Sequence, residues 1–93
     1  MSATDMYLEL CEKTIESFVM RCNCQKEDIT LQAQPEVLTK GNLALFGHVL
    51  FDMHEQYHVP MTYKEFSQFQ TFPTVETVVA YFYENLKNEV MDS

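Results

Sequence analysis

Three stretches of the chain repeat apolar side chains at the spacing of an α-helix, and no stretch alternates apolar and polar residues over strand length. The predicted helices cover residues 5–22, 42–57 and 74–88. Their apolar stripes are Leu8, Cys11, Ile15, Phe18 and Cys22, then Leu43, Phe46, Leu50, Met53 and Tyr57, then Val75, Val78, Val79, Phe82 and Leu86. This periodicity predicts an all-α fold.

Capping signals place the helix ends. Thr4, Asn42 and Thr74 stand where the N-caps of the three helices are expected, because their side-chain oxygens can accept from free backbone N–H groups. A capping box at Thr62–Glu65 predicts a fourth, short helix over 63–69. The expected architecture is a four-helix bundle of three longer helices and one short helix.

A long loop is expected between the first and second helices. Residues 23–40 show no helical period, and Pro35 is not expected inside a helix. Loops of this length in compact domains are often functional. Four aliphatic side chains are expected to hold the loop against the core: Ile29, Leu31, Val37 and Leu38.

Charge and hydropathy point away from several classes of partner. The formal net charge is −8 and there is no basic stripe, so nucleic-acid binding is disfavoured because phosphates would be repelled. No apolar run approaches the ~20 residues that span a membrane, so no membrane partner is expected. An acidic protein is expected to bind a protein partner with a basic surface, since opposite charge speeds encounter.

Length and cysteine content suggest one domain in a reducing compartment. The 93 residues are enough for a single domain covering 1–93, and we expect a monomer. The N-terminus, MSATDMYLEL, has no basic segment followed by an apolar one, so no secretory signal is predicted. Cys11, Cys22 and Cys24 are interpreted as partly buried thiols, which fits a cytoplasmic location.

The segment HEQYH has the HExxH spacing of a zinc protease, in which two histidines one turn apart bind zinc and the glutamate polarises water. His54 and His58 fall beside the apolar stripe of the second helix, and Glu55 points toward solvent. We therefore interpret them as boundary residues near a helix end, without a metal. The remaining candidates for a third ligand have no supporting spacing: His48, Glu76 and Glu84.

The order of elements resembles that of the acyl carrier protein family: a long helix, a long structured loop, a second helix after a Gly, a short helix and a final helix. Residues 25–44, QKEDITLQAQPEVLTKGNLA, resemble the family's loop leading into its Asp-Ser-Leu motif. The match continues without a gap through HVLFDMHEQYHVP, and FPTVETVVAYF resembles the opening of the last helix. The resemblance covers nearly the whole chain and implies an acyl-carrier-like helical fold.

The central motif of that family is altered. Asn42, Leu43 and Ala44 stand where the family has Asp-Ser-Leu, whose serine carries 4′-phosphopantetheine. Leu43 has no nucleophilic atom, so this resemblance implies no cofactor and no enzymatic activity. The serines of the chain all lie away from the start of the second helix: Ser2, Ser17, Ser67 and Ser93.

In carrier proteins the exposed face of the second helix docks with enzymes. Carried over by position, the partner-binding residues are Leu43, Ala44, His48, Phe51 and Glu55. Among them Phe51 best indicates a binding surface, because it is a large aromatic residue that lies off the core stripe of the helix.

The resemblance favours a non-catalytic protein-interaction module linked to fatty-acid, polyketide or peptide synthesis. Three alternatives stay open. The first is a functional carrier whose attachment site is misaligned or replaced. The second is a small HExxH zinc metalloprotease. The third is a helical subunit or regulator that resembles carriers only in architecture.

Overall fold

A computed structural model describes residues 3–58 and 69–91, with side chains for 4–58 and 69–86. This part of the chain contains four α-helices and a 3-10 turn: α1 (Ala3–Cys22), the turn (Lys26–Asp28), α2 (Pro35–Leu38), α3 (Leu43–Tyr57) and α4 (Val75–Met91). No strand occurs in these described ranges, so the predicted all-α class is confirmed for them. None of these helices combines the length and apolar character needed to cross a membrane.

Two of the three predicted N-caps are confirmed. The side chain of Asn42 accepts a hydrogen bond from the Leu45 N–H at 3.1 Å, which caps α3. Thr74 and Thr77 cap α4 reciprocally, since each backbone N–H donates to the other's hydroxyl oxygen, at 3.2 and 3.3 Å. The prediction for Thr4 is wrong, because α1 begins one residue earlier at Ala3.

The first loop contains a short helix that the pattern did not predict. Pro35 starts α2, a position that suits proline because the first N–H groups of a helix need no intrahelical partner. The helix ends at Leu38, and Thr39 is its C-cap. The Thr39 hydroxyl and N–H both donate to the Pro35 carbonyl oxygen, at 2.8 and 2.9 Å. The short helix predicted over 63–69 lies outside the described residues apart from Phe69, which is in a turn.

The core is built mainly from α3 and α4, whose predicted stripes are confirmed. Phe46 lies at its centre, with its ring centroid 6.2 Å from Phe18, 5.3 Å from Phe69 and 5.9 Å from Phe72. Aromatic pairs at these separations add to the stabilisation from burial. The other buried apolar residues are Leu10, Ile29, Val49, Leu50, Met53, Val75, Val78, Val79 and Phe82.

The predicted stripe of α1 is confirmed in part, since Phe18 is fully buried and Cys11, Ile15 and Cys22 are partly buried and pack against the core. Leu8 is 60% exposed, whereas the neighbouring Leu10 is fully buried. The buried side also holds two hydroxyl residues, Thr14 and Ser17. The Thr14 hydroxyl donates to the sulfur of Met53 at 3.8 Å, so a polar group is accommodated against α3. The buried face is therefore turned from the predicted stripe toward Leu10 and Thr14, because apolar side chains occur on both sides of this helix.

The first loop is attached to the start of α4. The N–H groups of Val75 and Glu76 donate to the carbonyl oxygens of Ala33 and Leu31, each at 2.9 Å. These bonds satisfy N–H groups that have no partner within the helix. Ile29 is buried and Leu31 and Leu38 are half-buried, as predicted. Val37 is 67% exposed, so its predicted place against the core is wrong.

Candidate functional site

Four of the predicted partner-binding residues lie together on the side of α3 that faces away from the core. Ala44, His48, Phe51 and Glu55 are all exposed and fall within an arc of roughly 60° at 100° per residue. The buried residues of the helix point to the opposite side: Phe46, Val49, Leu50 and Met53. We call the exposed set of four the outer face of α3.

Phe51 is the only large apolar side chain on this outer face. It is 46% exposed, and its ring centroid lies 6.3 Å from that of His54. Aromatic side chains are enriched at protein interfaces, where they fill a partner's pocket and are fully desolvated. With His48 and Glu55 beside it, Phe51 gives the face one apolar anchor and two polar groups.

Leu43 occupies a different environment from the outer face. It is the first residue of α3, half-buried, and packs against the core. A hydrocarbon side chain at this place contributes to packing and offers no atom for covalent attachment of a phosphodiester. Leu43 therefore lies at the edge of the candidate site.

The start of α3 is held by a tight backbone turn. Lys40 and Gly41 both have left-handed backbone angles, with φ of 56° and 77°. The Gly41 N–H donates to the Glu36 carbonyl at 2.8 Å, and the Asn42 N–H donates to the Thr39 carbonyl at 3.0 Å. Glycine suits its positive φ because it has no Cβ. This turn fixes the direction in which α3 leaves α2.

The HExxH segment straddles the end of α3. The helix ends at Tyr57, and His58 is its C-cap in the left-handed conformation, with its N–H donating to the His54 carbonyl at 2.7 Å. The second histidine therefore leaves the helix surface on which a zinc-protease motif carries both rings. Within residues 3–58 and 69–91, no three His, Cys, Asp or Glu side chains are grouped to hold a metal ion.

A polar cluster that the sequence analysis did not find joins α1 to α3. Arg21 donates to both carboxylate oxygens of Asp52, from Nε and from a terminal nitrogen, each at 2.8 Å. The Ser17 hydroxyl donates to the same carboxylate at 3.0 Å. The hydrogen bond from Arg21 lowers the pKa of Asp52, assisted by Ser17 and by the charge of His48, while burial opposes the shift.

The sequence did contain a signal for this cluster. Ser17 and Arg21 are four residues apart and therefore lie on one side of α1. Asp52 lies beside the apolar stripe of α3. The pattern could not show that these two surfaces face each other, because periodicity describes one helix at a time.

Tyr57 places a hydroxyl oxygen inside the protein. None of the described residues gives this buried oxygen a hydrogen bond of acceptable geometry. Burial, the negative charges of Glu9 and Glu16 and the closeness of the Glu9 carboxylate to the hydroxyl together raise the pKa of Tyr57 to about 12. The hydroxyl is therefore kept protonated well above neutral pH.

The three cysteines behave as the sequence predicts, as partly buried thiols. Cys11, Cys22 and Cys24 are free, and the Cys24 thiol donates to the Cys22 carbonyl at 3.6 Å. Burial, with the neighbouring Cys24, raises the pKa of Cys22 to about 11. Thiolate is the reactive form, so Cys22 is poorly suited to nucleophilic chemistry at neutral pH.

Comparison of the chain with protein-family models, curated proteins and solved structures gave no match. The resemblance to acyl carrier proteins therefore depends on the sequence segments and on the order of helices.

Proposed function

We propose that this chain is an acyl-carrier-like helical domain that lacks the serine for phosphopantetheine and acts by binding a protein through the outer face of α3. The observation that carries the proposal is the exposure of Phe51 on the side of α3 opposite the core. A half-exposed aromatic beside His48 and Glu55 has the composition of an interface anchor with a polar surround.

The arrangement around α3 supports the likeness to carriers. The helix opens directly after Gly41 and the capping residue Asn42, at the place where the family's modified serine would begin its helix. Leu43 stands at that serine position and packs against the core. The proposal therefore retains the family's docking helix and omits its covalent arm.

Charge defines the partner that this proposal requires. The chain has a net charge of −8, and Glu55 places one carboxylate on the outer face itself. A partner with a basic surface around an apolar pocket would be attracted by the charge and anchored by Phe51. Proteins of fatty-acid, polyketide or peptide synthesis are the partners that the carrier resemblance suggests.

Photo-crosslinking tests the proposed surface. A benzophenone amino acid is placed at Phe51 and, as a matched control, at Val37, which is 67% exposed on α2. In the cells that make the protein, we expect a discrete crosslinked partner from position 51 and not from position 37. Crosslinks of the same kind from both positions, or none from position 51, would contradict the proposal.

The captured partner then allows a quantitative test. We expect Phe51→Ala to weaken its binding by about tenfold or more, as loss of an aromatic anchor does. The control Val37→Ala should leave the dissociation constant unchanged within about twofold. Equal affinities of both variants would show that the outer face of α3 is not the binding surface.

A further inference from the structure

A cleft opens between the start of α2 and the segment that leads into α4. Residues of both segments line it: Gln34, Glu36, Phe69, Gln70, Phe72 and Pro73. Its volume is about 230 Å³, which is below the roughly 300–1,000 Å³ of pockets that enclose a small molecule. The size of the cleft therefore suits a single side chain of a partner.

The two walls of the cleft are held in place by backbone hydrogen bonds. The Val75 N–H donates to the carbonyl of Ala33, the residue before Gln34, at 2.9 Å. The Phe72 N–H donates to the Phe69 carbonyl at 3.1 Å and closes the turn that carries both rings. The cleft is therefore preformed, and a ligand does not have to order its walls on binding.

Two aromatic rings form the apolar part of the cleft. Phe72 is almost fully buried, whereas Phe69 is half-buried. The Phe69 ring stacks on Phe46, with the centroids 5.3 Å apart and the planes inclined by 19°. One face of the Phe69 ring is therefore covered by Phe46, and its second face points away from Phe46. Because the face of an aromatic ring carries partial negative charge, this second face attracts a cation.

Three polar side chains accompany the rings. Gln34 precedes the first turn of α2 but makes no capping hydrogen bond, so the helix does not use its amide. Among the residues that the structure describes, none pairs with the Glu36 carboxylate or hydrogen-bonds the side chain of Gln70. Of the residues that line the cleft, Glu36 alone is charged. The cleft therefore combines one carboxylate, two amides and one ring face.

We propose that this cleft binds an arginine side chain on the surface of a protein partner. The flat guanidinium stacks on Phe69, while its N–H groups donate to the Glu36 carboxylate and to the amide oxygens of Gln34 and Gln70. An acidic side chain would be repelled by Glu36, and an apolar one would cover this carboxylate without giving it a partner. Lysine fits less well, because its ammonium is a compact charge that does not stack as a plane.

The arginine comes from another protein and not from a second copy of this chain. The sequence contains one arginine, Arg21, and its guanidinium is engaged with both carboxylate oxygens of Asp52. The net charge of −8 also favours a basic partner over an acidic copy of the chain. This site is additional to the outer face of α3 and does not depend on the resemblance to carriers.

Nuclear magnetic resonance titration of the full chain with Nα-acetyl-arginine amide tests the site. Nα-acetyl-citrulline amide is the matched probe, because a neutral urea replaces the guanidinium with little change in shape. We expect the side-chain amide signals of Gln34 and Gln70 to move and to saturate with a dissociation constant on the order of 1 mM. The citrulline and lysine derivatives should bind at least about threefold more weakly. Nuclear Overhauser contacts should join the δ-methylene protons of the arginine to the ring of Phe69.

A pair of variants tests the role of the charge. Glu36→Gln removes the carboxylate of the cleft, and Glu27→Gln makes the same change at an exposed residue of the 3-10 turn. We expect Glu36→Gln to weaken binding of the arginine derivative about fivefold or more, and Glu27→Gln by less than about twofold. Both residues are exposed, so circular dichroism should show the helix content of the wild type in each variant.

Equal affinities for the arginine derivative and for either of the other two would overturn the proposal, since the cleft would then not recognise a guanidinium. Equal losses in Glu36→Gln and Glu27→Gln would also overturn it, because the probe would respond only to net charge. Saturating shifts at Phe51 and not at Gln34 and Gln70 would place the arginine on the outer face of α3. That third result would contradict this site and leave the proposed role of the outer face intact.

Discussion

The guanidinium of Arg21 on α1 holds both carboxylate oxygens of Asp52 on α3, with each nitrogen–oxygen distance at 2.8 Å. The paired geometry links two helices that are far apart in the sequence. Ser17 adds a third hydrogen bond to the same carboxylate. Because Asp52 lies between the core side and the outer face of α3, this cluster fixes how that face is presented beside α1.

The lowered pKa of Asp52 predicts an acid-dependent stability. Its pKa in the folded protein lies below the ordinary value of 3.8, so the stabilisation is fully present above that value and is lost as the pH falls through the folded pKa. Asp52→Asn should therefore lower the free energy of unfolding at pH 7. It should also reduce the further loss of stability below about pH 4, as measured by urea unfolding at a series of pH values.

A matched control separates this cluster from the general effect of charge. Asp28→Asn makes the same chemical change at an exposed residue of the 3-10 turn. This variant should keep the acid dependence of the wild type. The role of the Arg21–Asp52 pair is contradicted when both variants show the same pH profile.

The buried hydroxyl of Tyr57 predicts an unusual result for a tyrosine substitution. Glu9 lies close enough to the hydroxyl to raise its pKa, but the contact does not have the geometry of a hydrogen bond. Tyr57→Phe should therefore leave the free energy of unfolding at pH 7 unchanged or raise it by up to about 1 kcal/mol. The folded pKa of about 12 exceeds the ordinary 10.0, so stability is lost as the pH rises from 10 toward 12. Tyr57→Phe should reduce that alkaline loss. An unchanged dependence of stability on pH would contradict the raised pKa of Tyr57 in the folded protein.

Helices α3 and α4 were predictable because each carries most of its apolar residues on one side. Phe46, Leu50 and Met53 repeat at helical spacing, and the polar residues of α3 occupy the other side. In α1 the same reasoning selected Leu8, which is exposed, and passed over Thr14, which is buried. The burial of Thr14 depends on Met53 of α3, a contact that no pattern within α1 could reveal.

The exposed position of Phe51 followed from the same periodicity, since it lies off the stripe of α3. The polar cluster and α2 did not follow. Pro35 does not lie inside a helix, as predicted, but it begins one. The Arg21–Asp52 pair requires knowledge of which helices are neighbours, and only the three-dimensional structure supplies it.

The altered carrier motif predicts that the protein stays unmodified. Incubated with coenzyme A and a phosphopantetheinyl transferase of broad specificity, the wild-type chain should keep its intact mass, because Leu43 has no nucleophilic oxygen. The variant with Leu43→Ser and Asn42→Asp restores the family's motif and should gain one phosphopantetheine. Loss of the half-buried leucine should cost about 1–2 kcal/mol of stability.

Modification of the wild-type chain would contradict the proposed function and favour a working carrier. Tandem mass spectrometry would then locate the modified residue. Leu43→Ser without the change at Asn42 is a useful control. Asn42 caps α3, and aspartate keeps a capping oxygen, so the single and double variants differ in the family's motif and not in the cap of the helix.

The end of α3 predicts no tightly held zinc. His58 lies in the left-handed C-cap rather than on the helix, so His54 and His58 do not have the geometry of an HExxH helix. After dialysis, metal analysis of the wild-type protein should find zinc well below one equivalent. Stoichiometric zinc that disappears in His54→Ala would contradict this and revive the metalloprotease hypothesis.

The most direct test of the outer face of α3 compares the free energies of unfolding of Phe51→Ala and Phe46→Ala. Phe46 is fully buried among three aromatic rings, so its replacement should cost about 3–5 kcal/mol. Phe51 is 46% exposed, and alanine has the higher helix propensity, so its replacement should cost less than about 1 kcal/mol. A loss of about 3 kcal/mol or more for Phe51→Ala would place this ring in the core and contradict its role as a partner anchor.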